Sequence, residues 1–122
     1  MKDFRILLEE QAASSAQPHV IRLTGYLDHD NVGQFDRSAE RVLASGNYRL
    51  IVEISELDYL ASSGIGALVS LLLHLRRRGG NMVLVRPVPR VLQVLDVLGF
   101  AELLPIVGTV ERANSILRGE SR

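Results

Sequence analysis

The chain has 122 residues, no cysteine, and 14 basic against 14 acidic side chains. The charge balance removes the basic surplus that general nucleic-acid binding requires. The absence of cysteine excludes a disulfide framework, a thiol nucleophile and a cysteine-based zinc site. With 47% hydrophobic residues, the length suits one core, and a single domain is expected over residues 1–122.

Phe4 to Leu8, apolar but for Arg5, reads as a first strand at a sheet edge. The opening MKDFRILLEEQ mixes charge into this run, so no signal-peptide core is expected there. Gln11 to Gln17, followed by Pro18, is a loop, and His19 to Leu23 is a second strand that Gly25 should break. Asp28 and Asn31 both qualify as caps for a helix reaching about Ala44. Its face carries Val32, Phe35, Ala39, Val42 and Leu43, and Gly46 stops it.

Leu50 to Ile54 is almost wholly apolar, as a strand covered on both faces must be. A long helix follows from near Ser62 to about Arg78, closed by Gly79 and Gly80. Arg76 to Arg78 offset the negative end of its dipole. Leu71, Leu73 and Leu75 fall partly outside its main stripe, so either a thick core covers them, the preferred reading, or some stay exposed for a partner. The stretch Ala67 to Leu75 is far shorter than a bilayer span and is interrupted by Ser70 and His74. A cytoplasmic protein with no membrane insertion is therefore the expectation.

Met82 to Val85 is the next strand, and Pro89 suits the first turn of a helix striped with Val91, Val94, Leu95 and Leu98. Gly99 should end that helix. Leu103 to Val107, interrupted by Pro105, is a weak edge strand. Thr109 caps a final helix bearing Val110, Ala113, Ile116 and Leu117, and residues 119–122 should fray. The alternation ββαβαβαβα predicts one α/β layer packing, with the helices on one face or on both.

The catalytic signatures fail one by one. Gly64-Ile65-Gly66 lacks the third glycine of a dinucleotide-binding turn, because Val69 stands there. A nucleophile elbow around Ser62 would need glycine at position 60, which is leucine. His74 lies about three turns along the helix from Ser62, and a Ser62–His29 pair is disfavoured. Asp28-His29-Asp30 reads as a polar helix start, since adjacent side chains diverge and no distant motif completes a metal site. No catalytic residue, metal or cofactor is expected. Ser62, with Ser63 as the alternative, reads on its own as a helix N-cap. The same place is also where backbone N–H groups and the helix dipole favour a phosphate.

Taken in order, Leu50 to Ser55, Leu57 to Leu60 and Ser62-Ser63-Gly64-Ile65-Gly66 resemble the STAS domain family, more narrowly its stand-alone anti-sigma factor antagonists. Leu23 to Asp28, Gly79-Gly80-Asn81 with Val83 to Val85, and Val91 to Leu104 are similar to the same family. The resemblance implies a STAS-like fold, a mixed sheet of about five strands with about four helices. It implies a non-enzymatic binding module in which Ser62 (second choice Ser63) is phosphorylated by an anti-sigma factor. That anti-sigma factor is also a serine-protein kinase of the histidine-kinase-like ATPase fold. The unphosphorylated form would hold this kinase, the phosphorylated form would release it, and a phosphoserine phosphatase would reset the cycle. Asp28, Asp30, Asp58, Ser62, Ser63 and Gly64 are the expected partner-binding residues, on a monomer. Ala61 stands where the family often has aspartate before the serine, and Glu53 where it usually has aspartate. A constitutive partner-binding subunit, of a lipid ABC transporter or a signalling scaffold, is the alternative.

Overall fold

The computed structural model describes residues 3–119. Five strands run β1 (Arg5–Glu9), β2 (His19–Leu27), β3 (Arg49–Leu60), β4 (Asn81–Val85) and β5 (Ile106–Val107). Four helices are interleaved: α1 (Val32–Ala44), α2 (Ser62–Arg77), α3 (Pro89–Val97) and α4 (Val110–Leu117). The sheet order is β1-β2-β3-β4-β5, with β1 antiparallel to β2 and every other pair parallel. The mixed five-stranded sheet with four helices is the architecture the sequence implied.

The helices cover both faces. Phe35 and Val42 of α1, Leu68, Leu72 and Leu75 of α2, and Val91 and Leu95 of α3 share one buried cluster with Ile21, Leu23, Leu50, Val52 and Ile54. Ala113 and Leu117 of α4 pack on the opposite face against Ile51, Val83 and Val85. This is why Leu50 to Ile54 and Met82 to Val85 lost their polar alternation: both faces of β3 and β4 are covered.

Several boundaries differ from the expectation. Gly25 does not end β2. Its φ of +90° is accommodated by register shifts against β3, and the strand continues to Leu27. β3 likewise runs on to Leu60, far beyond Ile54. β5 shrinks to two residues, held to β4 by bonds from Leu84 N–H to Pro105 O (2.8 Å) and from Arg86 N–H to Val107 O (3.0 Å). In α2, Leu71 and Leu75 are buried as expected, but Leu73 faces outward and is 40% exposed. Leu98, assigned to the buried stripe of α3, lies past the end of that helix and is also exposed. Thr109 caps α4 as expected, accepting from Arg112 N–H at 3.0 Å. The expected fraying of 119–122 lies, but for Gly119, outside the described residues.

At the amino end of the parallel strands a buried polar knot closes the fold. His19 is fully buried. Its Nδ1 accepts from Gln11 N–H at 2.9 Å, while Nε2–H is shared between Asn47 O and Ser45 Oγ, each 2.9 Å away. Asn47 donates through Nδ2 to Gln17 O and accepts from Arg49 N–H. The knot ties the β1–β2 loop to the α1–β3 turn, at the end of the sheet away from Ser62.

Candidate functional site

The extension of β2 and β3 builds the site. Leu27 lies opposite Leu60, and Ala61 N–H donates to Leu27 O at 3.0 Å. The β2–α1 turn therefore stands beside the start of α2. Gly64 is what lets the helix approach this closely. A Cβ there would stand 2.8 Å from Leu27 O and 2.9 Å from Leu60 Cδ1.

The N-cap position of α2 belongs to Ala61, in extended backbone, and no side chain caps the helix. Ser62 and Ser63 thus occupy the first helical turn, and the N-cap role that the residues alone suggested does not hold. Ser62 is exposed and Ser63 half-buried, and neither hydroxyl is hydrogen-bonded among the described residues. Ala61 O accepts the first intrahelical bond, from Ile65 N–H at 3.0 Å. The amides of Ser62, Ser63 and Gly64 precede that bond, at the positive end of the dipole.

The neighbouring turn is braced by its own hydrogen bonds. Asp30 N–H donates to Asp28 Oδ1 at 2.9 Å, and Asp28 N–H donates to Asn31 Oδ1 at 3.0 Å. Asn31 Nδ2 reaches back to Tyr26 O at 3.0 Å. Asn31 occupies the N-cap position of α1, but its amide braces the turn and leaves the helix without a side-chain cap. Asp28 is half-buried and Asp30 exposed, so both contribute negative charge to the rim.

β4 stops at Val85, opposite Glu53, so the outer part of β3 has no strand on that side. Asp58 there is half-buried and borders a shallow hollow formed with Val88, Pro89, Arg90 and Gln93. Tyr59 is 44% exposed. Sequence reasoning missed Tyr59, because no local signal says which face of a strand's end is left uncovered. The structure therefore gathers Asp28, Asp30, Asp58, Ser62 and Ser63 at the carboxyl end of the parallel strands. Gly64 is corrected: it is buried against Leu27 and Leu60, and positions the helix without presenting a surface.

Nearby, Glu53 is held by Ser55 N–H (2.7 Å), the Ser55 hydroxyl (3.1 Å) and Arg86 Nη2 (3.1 Å). Burial pushes its carboxyl up, but these donors outweigh burial and hold it below the ordinary range. None of the three histidines is hydrogen-bonded to Ser62. His19 is in the knot, His29 pairs with Asp30 at 3.3 Å, and His74 is in the last part of α2. Among the described residues, no group of three or more His, Cys, Asp or Glu is placed to hold a metal. No helix among them is long and apolar enough to cross a membrane.

The family model of the STAS domain matches residues 11–113. The chain belongs to the STAS domain family. Among curated relatives, this STAS domain is 26% identical over 91 residues to BtrV of Bordetella bronchiseptica, a candidate anti-sigma factor antagonist; the match covers 75% of this chain and 78% of BtrV. It is also 26% identical over 91 residues to the anti-sigma F factor antagonist of Paenibacillus polymyxa, covering 71% of this chain and 75% of that one. Among solved structures it is similar to the anti-sigma factor antagonist SpoIIAA in its unphosphorylated form. That match has 26% identity and a TM-score of 0.77, over 97% of this chain and 100% of that one. SpoIIAA in its phosphorylated form gives a TM-score of 0.70 over 93% and 100% of the two chains.

Proposed function

We propose that this STAS domain is an anti-sigma factor antagonist whose binding of an anti-sigma factor is switched by phosphorylation at Ser62. The observation that carries the proposal is the placement of Ser62: exposed, uncapped, in the first turn of α2, beside the Asp28–Asp30 turn and the outer end of β3. A hydroxyl there can enter another protein's active centre without local unfolding. The likeness to SpoIIAA, solved in both unphosphorylated and phosphorylated forms, supports the same reading. The partner is an anti-sigma factor that is also a serine-protein kinase, and a phosphoserine phosphatase reverses the modification. The domain itself contributes no catalytic group, and the protein acts in the cytoplasm.

The switch works through the interface. A phosphoserine adds about −1.5 to −2 charges at neutral pH. At the head of α2 that charge is tolerated by the helix dipole, so the fold persists. In a docked complex it sits among Asp28, Asp30 and Asp58 against a surface fitted to a neutral hydroxyl. Stranding one charge in an interface costs about 3–5 kcal/mol, or about two to four orders of magnitude in affinity. Ala61, with no carboxylate at position 61, favours the second reading, a STAS subunit that holds its partner constitutively.

The test is binding of the cognate kinase to Ser62→Ala and Ser62→Asp, with phosphosite mapping on protein from its own cells. Both variants should keep wild-type stability within about 0.5 kcal/mol, as exposed substitutions do. Ser62→Ala should bind like wild type and Ser62→Asp at least tenfold more weakly. Equal binding by both variants, with no phosphate at residue 62, would leave the constitutive subunit as the function.

A further inference from the structure

We infer that the free edge of β1 is a self-complementary docking edge for a second copy of this chain, independent of the Ser62 rim. β1 lies at the end of the sheet, and among the described residues only β2 pairs with it. Its sequence is Arg5-Ile6-Leu7-Leu8-Glu9. Side chains alternate along a strand. Ile6 and Leu8 pack partly against the main core, and Arg5, Leu7 and Glu9 face the opposite side. Leu7 is 58% exposed, a large apolar residue left open in mid-strand between two charges of opposite sign.

An edge strand normally carries charge to discourage pairing. Here the charges select one pairing. When a second β1 is laid antiparallel across a two-fold axis through Leu7, Leu7 meets its own copy. Arg5 then stands opposite Glu9 of the copy, and Glu9 opposite Arg5. On the core-facing side Ile6 falls opposite Leu8, so the half-buried apolar pair gains cover. Shifting the register by two residues sets Arg5 or Glu9 against Leu7 and leaves the other charge outside the ladder. A shift of one residue turns apolar positions to the wrong face. Opposite-charge and apolar cross-strand pairs stabilise a ladder, and a two-fold contact repeats each of them. Glu9 already accepts from Arg22 on the neighbouring strand, so in the pair its carboxylate is shared between two guanidinium groups.

The result is one continuous sheet through both copies. Because the axis reverses strand direction, the two Ser62 rims lie at opposite ends, and each copy can engage a partner at once. The proposed dimer departs from the monomer expected from sequence.

The absence of cysteine gives a direct test, since Leu7→Cys introduces the only thiol. Wild type should show a weight-average mass in sedimentation equilibrium that rises with concentration toward twice 13.5 kDa. Leu7→Lys and Arg5→Glu should each weaken self-association at least tenfold while keeping the wild-type circular-dichroism melt. Under mild oxidation Leu7→Cys should form a disulfide-linked dimer far faster than Val97→Cys, whose position is 76% exposed but lies on α3. A monomer at every concentration, a dimer indifferent to Leu7→Lys and Arg5→Glu, or equal cross-linking of the two thiols would overturn the proposal.

Discussion

Two glycines two residues apart in α2 should respond to alanine with opposite signs. At Gly64 a new Cβ meets backbone: Leu27 O at 2.8 Å, with Leu27 Cγ and Leu60 Cδ1 each at 2.9 Å. Ordinary contact starts near 3.4 Å, so the helix must retreat by about half an ångström. No rotamer change relieves the contact with the carbonyl, and retreat stretches the Ala61 N–H bond to the same oxygen. Overpacking of this kind costs about 1–3 kcal/mol, against about 1 kcal/mol gained from alanine's helix propensity. The net expectation for Gly64→Ala is a loss of up to about 2 kcal/mol, or about 4 °C in Tm per kcal/mol for a domain of this size. At Gly66 nothing lies within 4 Å of the added carbon, and the position is exposed. Gly66→Ala should therefore stabilise by up to about 1 kcal/mol. Urea unfolding of both variants beside wild type reads the two signs. A Gly64→Ala protein more stable than wild type, or two shifts of the same sign, would refute the account of how α2 is seated.

Two further predictions concern pH. Burial lowers the His19 pKa below its ordinary 6.5, outweighing the bond to Asn47 O. Nδ1 is occupied as an acceptor, so a proton there would oppose Gln11 N–H. The unfolded chain binds the proton more readily, so the knot's contribution is complete above about pH 6.5. It should drain away as pH falls from there toward the lowered value. A His19→Gln variant should be destabilised at pH 8 and lose that segment of the pH profile; an unchanged profile would contradict the buried neutral imidazole. Glu53, whose carboxyl is held low, stabilises the fold above the ordinary carboxylate range and loses that contribution as pH falls through the lowered value. Glu53→Ala should cost about 1–3 kcal/mol by leaving Ser55 N–H without its acceptor, and should flatten the acid limb of the urea-midpoint profile.

Local signals wrote most of the elements. The stripe of α1, Pro89 at the head of α3, Thr109 at the head of α4 and the doubly apolar β3 and β4 each rest on a period or a cap confined to a few neighbours. The candidate site was legible to the same extent, because two serines before an apolar helix mark a helix start whatever lies around them. Which of them would cap, and what would surround them, was not legible.

Those answers belong to pairing between distant strands. Gly25 reads as a breaker, and only the ladder with β3 turns it into a bulge inside β2 that carries Leu27 up to Leu60. That register brings the Asp28–Asp30 turn beside α2 and makes Gly64 a packing residue. The early end of β4 leaves the outer part of β3 without a strand on that side. The sequence by itself determined the order and type of the elements, since hydrophobic period and capping act over one or two turns. Only the tertiary structure decided where strands outrun one another and which hydroxyl faces water, because these depend on register between residues more than thirty positions apart.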